Sequence, residues 1–104
     1  MSLLKVLKIK KKTQINKYCD FIIKYSNKKA RWKRFHRWVP VNWVLSTIDY
    51  LLINKHTTEQ TREMLLRLYM NIERLNKRMK ANYMPLKVLK TMLKPLQIID
   101  ERIN

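Results

Sequence analysis

The sequence predicts an all-α protein: a small helical bundle or an extended helical protein of about four helices, preceded by a basic N-terminal tail. Three observations predict it. Apolar residues recur three and four apart along most of the chain, the spacing that gathers them on one face of a helix. Glycine is absent, so the tight turns of a strand-rich fold lack their usual residue. Each periodic run is followed by an asparagine or a proline, the remaining residues that punctuate helices. A chain of 104 residues bounds the organisation to one domain, read as a tail over 1–12 and a single helical domain over 13–104.

The first helix is predicted from Ile15, Tyr18, Cys19, Ile22 and Tyr25, which share a face while Lys17, Lys24 and Lys28 take the opposite one. Thr13 stands where an N-cap belongs. A second helix is predicted from Val41 or Asn42 to Ile53, with Val44, Ile48, Leu51 and Leu52 inward and Pro40 just ahead, where a missing N–H costs little. The third helix has the longest pattern. "TTEQ" at 57–60 reads as a capping box with Thr57 as cap and Gln60 reaching back. A seam of Leu65, Leu68, Ile72, Leu75 and Met79 follows, with Leu66 and Met70 turned away from it towards a second neighbour. Pro85 bars continuation. The last helix carries Leu86, Leu89, Leu93 and Leu96 and is expected to be interrupted or kinked at Pro95. Asn27, Asn54 and Asn82 are expected to take the left-handed helix-ending position that glycine would otherwise fill.

Between the first two helices lies "KKARWKRFHRW", residues 28–38, with six cations, three aromatics and no carboxylate. Read as a strand, it mixes cations and aromatics on both faces. Read as a helix, it sorts Trp32, Phe35 and Val39 to one side and Lys33, Arg34 and Arg37 to the other. The helical reading predicts Phe35 and Trp32 in the core, the cations in water, and Trp38 off the Trp32 face.

Charge carries the functional reading. The net charge is +17 and is concentrated in the N-terminal half. A solvated helix face normally mixes signs, whereas these cations have no acid three or four residues away. Such a chain is complementary to a dense array of negative charge, nucleic acid or anionic lipid. The scarcity of Gly and Ala beside abundant Lys, Asn and Ile fits an AT-rich genome. One cysteine excludes an internal disulfide and suits a reducing compartment; the location expected is intracellular, with the mitochondrial matrix as one setting that fits. The apolar-leaning run from Trp38 to Ile53 falls short of the roughly 20 residues a membrane span needs.

Without glycine, phosphate-cradling loops and dinucleotide fingerprints are excluded. Cys19, His36 and His56 are scattered singly, which is not zinc-site spacing, and Cys19 on an apolar seam reads as a small hydrophobe rather than as a nucleophile paired with His36. The expectation is therefore a non-enzyme with no cofactor, no metal and no small-molecule substrate. Its expected role is an RNA-binding structural protein, a ribosomal or ribosome-associated subunit contacting rRNA and neighbouring proteins in a large assembly. Lys10, Lys11, Lys12, Lys28, Lys29, Arg31, Lys33, Arg34 and Arg37 neutralise phosphates in this reading, and Trp38 stacks on bases. Two alternatives compete. Trp38, Trp43 and Tyr50 around an apolar run fit an accessory subunit of a membrane complex. The short link between the second and third helices fits a DNA-binding helix-turn-helix.

Overall fold

The computed structural model describes residues 13–80 and 82–103. The tail predicted over 1–12 lies outside the described residues. Among the described residues the chain is mostly helical but not all-α: a three-stranded antiparallel sheet joins four helices. The order is α1 (Gln14–Lys28), β1 (Arg31–Lys33), β2 (His36–Pro40), α2 (Val41–Leu52), α3 (Glu59–Met79), β3 (Tyr83–Pro85) and α4 (Leu86–Ile103).

The helices form where periodicity placed them. α1 buries Ile15, Cys19, Ile22 and Ser26, α2 buries Val41, Val44, Thr47, Ile48 and Leu51, and α4 buries Leu86, Leu89 and Leu93. α3 adds Leu65, Leu68 and Ile72, with Leu75 half-buried. The buried apolar ones form one cluster, with Leu75 packed against it, because each stripe is too narrow to be shielded by its own helix. α1 lies against α4 and α2, and α2 lies against α3. Leu66 and Met70 face solvent. α3 touches α4 as well as α2, so the expected second neighbour is present although these two side chains are exposed.

Three local expectations are corrected. The cap of α3 is Thr58, whose Oγ1 accepts the Thr61 N–H at 3.3 Å. Thr57 is instead turned inward, donating to the Leu51 carbonyl at 2.6 Å and sharing a 2.9 Å hydrogen bond with the Tyr18 hydroxyl. Its hydroxyl thereby reinforces a carbonyl in the last turn of α2 that also accepts the Asn54 N–H at 3.4 Å. The Arg62 guanidinium serves the same end, donating to the carbonyls of Leu52 and Thr57. Second, no asparagine takes a left-handed position among the described residues. Lys80 (φ 51°) ends α3, and Asn27 is still inside α1. Third, Pro95 does not interrupt α4, which runs through it as one helix.

The sheet overturns the helical reading of residues 31–38. β1 pairs antiparallel with β2 in the register Arg31↔Trp38, Trp32↔Arg37, Lys33↔His36, leaving a two-residue turn at Arg34 and Phe35. Both have positive φ, 51° and 66°, as the primed hairpin turn that matches strand twist requires. β2 then pairs with β3 in the register Trp38↔Pro85, Val39↔Met84, Pro40↔Tyr83. Val39 and Met84 are buried opposite one another, and the Val41 N–H donates to the Asn82 carbonyl at 2.9 Å. The segments "VPV" at 39–41 and "MPL" at 84–86 thus do the same job. An inward apolar residue closes the strand, proline fixes φ and has no N–H to leave unpaired, and a helix begins.

Candidate functional site

Opposed residues in an antiparallel pair share a face, so the register sorts the hairpin. Arg31, Lys33, His36 and Trp38 fall on one face with Tyr83 and Pro85. Trp32 and Arg37 fall on the other, in line with the buried Val39 and Met84 but beyond the edge of the core. Every residue from Arg31 to Arg37 is exposed. Phe35 is 88% exposed and Trp32 69%, which corrects their expected place in the core. The helical wheel separated aromatics from cations, and a hairpin that projects past the core needs no such separation. Arg37 accordingly shares a face with Trp32 rather than opposing it.

Around the hairpin the cations have distinct settings. The Arg31 guanidinium lies 5.8 Å from the centroid of the Tyr83 ring, within cation–π range. Arg37 donates to the Asn27 Oδ1 at 2.7 Å, tying the hairpin to the end of α1. Lys33 and Arg34 have no ion-pair partner among the described residues. Between Asp20 and Asp49 the sequence holds Lys24, Lys28, Lys29, Arg31, Lys33, Arg34 and Arg37 and no carboxylate at all. Trp38 is half-buried, and its indole N–H donates to the Lys33 carbonyl at 3.0 Å. That bond fixes the ring.

On the Trp38 face lies a groove of about 430 Å³ lined by Arg31, Lys33, Arg34, Trp38, Asn82 and Tyr83. Tyr83 is the first residue of β3 and Asn82 immediately precedes it, far from the hairpin in sequence. They were not expected at the site; the repeated apolar–proline–apolar step at 39–41 and 84–86 was the signal that could have joined them to the hairpin.

The remaining expected cations are elsewhere. Lys28 and Lys29 sit at the end of α1, their Nζ atoms 4.5 Å from the Tyr25 ring and 5.3 Å from the Trp43 ring. These rings belong to a second cluster, in which Phe21 packs on Tyr25 at 4.2 Å and stacks on Tyr50 at 5.9 Å. The Trp43 indole donates to the Tyr25 carbonyl at 2.7 Å. Trp43 and Tyr50, candidates for a membrane surface, take part in these contacts between α1 and α2 while remaining 36% and 58% exposed. Lys10, Lys11 and Lys12 lie outside the described residues. Cys19 is in the core and His36 in solvent, so the two are not brought together. No group of three metal-ligating side chains forms among the described residues, and none of their helices is long and apolar enough to cross a membrane.

No protein-family model, curated protein or solved structure matches this chain.

Proposed function

We propose that this is a non-catalytic RNA-binding structural protein, a ribosomal or ribosome-associated subunit, that grips phosphates through the β1–β2 hairpin. One observation carries the reading: a hairpin exposed over its whole length from Arg31 to Arg37, within a stretch that contains no acid. Leaving Trp32 and Phe35 in water forgoes about 1.5–3 kcal/mol of burial each, and a fold accepts that most readily where a partner later covers them. Lys28 and Lys29 at the end of α1 extend the cationic surface, and Lys10, Lys11 and Lys12 contribute further positive charge to the chain. The single cysteine suits a reducing compartment inside a cell, and the composition fits an AT-rich genome, with the mitochondrial matrix as one setting consistent with both.

The test is a salt titration of RNA affinity. Changing Arg31, Lys33, Arg34 and Arg37 together to Gln should flatten the plot of log K against log salt. Each phosphate contact contributes about 0.7–0.9 to the slope, so four remove about 3. The helices should persist, because none of the four side chains is in the core. A folded variant with an unchanged slope would falsify the reading.

The exposed Trp32 and Phe35 favour one second reading, a hairpin tip that enters an anionic membrane surface. In that case the wild-type protein should bind phosphatidylglycerol vesicles and not RNA, and Trp32→Ala with Phe35→Ala should abolish the binding.

A further inference from the structure

We infer that the groove on the Trp38 face is a base-binding site, taking one unstacked base of single-stranded RNA with its phosphate on Lys33 and Arg34. The inference rests on the RNA reading and goes beyond phosphate neutralisation by naming what enters the groove and what holds it.

The groove has the three kinds of group that such a ligand needs. The first is a flat surface. Trp38 and Tyr83 supply rings, and each is restrained: the Trp38 indole by its bond to the Lys33 carbonyl, the Tyr83 ring by the Arg31 guanidinium at 5.8 Å. A base stacks on fixed rings without paying to order them. The second is unpaired positive charge at the rim. Lys33 and Arg34 provide it, and no carboxylate pairs with either among the described residues. The third is a polar group that can meet a base edge. Asn82 is held through its backbone carbonyl, which accepts the Val41 N–H at 2.9 Å. Its exposed carboxamide makes no hydrogen bond among the described residues and offers one acceptor and two donors, the complement that base edges present.

The volume, about 430 Å³, is that of a small-ligand cleft. A duplex keeps its bases stacked on each other and presents only its backbone to such a groove, so the site selects for single strands. The second aromatic cluster offers no equal. It lines a smaller pocket, about 250 Å³, and the residues lining it, Phe21, Tyr25, Trp43, Ser46, Thr47 and Tyr50, include no cation.

The experiment compares a short unstructured oligoribonucleotide with an RNA duplex of equal length, using the full chain. Tyr83→Leu and Asn82→Ala should each weaken single-strand binding, the stacking loss being about tenfold, and leave duplex binding unchanged. Tyr50→Leu, an exposed aromatic in the second cluster, is the control for nonspecific aromatic loss. A readout independent of the variants is the indole N–H resonance of wild-type Trp38, which should shift on addition of the single strand while that of Trp43 stays. Wild-type single-strand affinity in both folded variants, with an unmoved Trp38 signal, overturns the groove but leaves the phosphate reading standing. Wild-type protein that binds neither RNA overturns both. Binding confined to phosphatidylglycerol vesicles also overturns both, in favour of the membrane surface.

Discussion

Helix α3 and the β1–β2 hairpin are both rich in cations, yet they treat charge and backbone in opposite ways. α3 sets Arg62, Arg67, Arg74, Lys77 and Arg78 against Glu59, Glu63 and Glu73. Glu59 is in its first turn and Lys77 and Arg78 are in its last, the arrangement that complements the helix dipole. Its cap is bonded, and its inner face joins the core. The hairpin has none of these compensations. It carries no acid, exposes two large aromatics, and turns through two residues with side chains in left-handed backbone. α3 is organised for its own stability, whereas the hairpin is organised at the expense of stability.

The largest expected effect lies in the framework. Leu68 is buried on the α3 seam, and Leu68→Asp places a carboxylate where it has neither water nor partner. Breaking the core in this way costs several kcal/mol, a large share of the roughly 5–15 kcal/mol that holds a domain together. Thermal unfolding followed by circular dichroism should show loss of the cooperative transition. Phe35→Asp, on the exposed tip, should leave the transition in place. Equal damage from both would erase the distinction between the two regions.

The same contrast explains what was legible in the sequence. The four helices and their inward residues were readable because a helix reports its buried face at fixed local spacing. Leu65, Leu68 and Ile72 needed no knowledge of anything else in the chain. The hairpin was not readable that way. Its partners are set by register, its turn has none of Gly, Asn or Asp, and its strands have no wholly buried face to impose alternation. Val39 lies opposite Met84 on a strand that packs against α1, α2 and α4, and most of those partners lie outside any window around Val39. The site was half legible for the same reason. Arg31, Lys33, Arg34 and Trp38 were named from charge and aromatic content, while Asn82 and Tyr83 reach the groove only through β3.

A medium effect of opposite sign should come from the turn. Left-handed backbone costs a residue with a side chain roughly 1–2 kcal/mol, and Asn-Gly is the preferred pair for this turn. Lack of codon choice does not explain Arg-Phe, since asparagine is frequent in this chain and tolerates the conformation. Arg34→Asn combined with Phe35→Gly should therefore raise stability by about 1–3 kcal/mol, read as a higher denaturant midpoint, and should weaken RNA binding. Higher stability with undiminished binding would show that the tip is strained for no functional return.

The smallest effect is expected where α2 meets α3, and it tests whether local acids there outweigh the charge of the whole chain. A net charge of +17 favours phenolate over phenol and by itself lowers a tyrosine's pKa. Tyr69 on α3 goes the other way. Its hydroxyl is held above the ordinary 10.0 chiefly by the negative charge of Asp49, then by burial, then by Glu73 one turn along. A folded-state pKa above the unfolded one means that the native protein keeps this proton longer. The resulting stability is fully present below the unfolded value near 10 and is lost as pH rises through the folded value. Tyr69→Phe should therefore lessen the fall in the denaturant midpoint between neutral pH and strongly alkaline conditions. Asp49→Asn should do most of the same, since it removes the leading cause. No change in the alkaline slope with either substitution would mean that the surrounding cations screen Asp49, and that this corner is as cationic in effect as the hairpin.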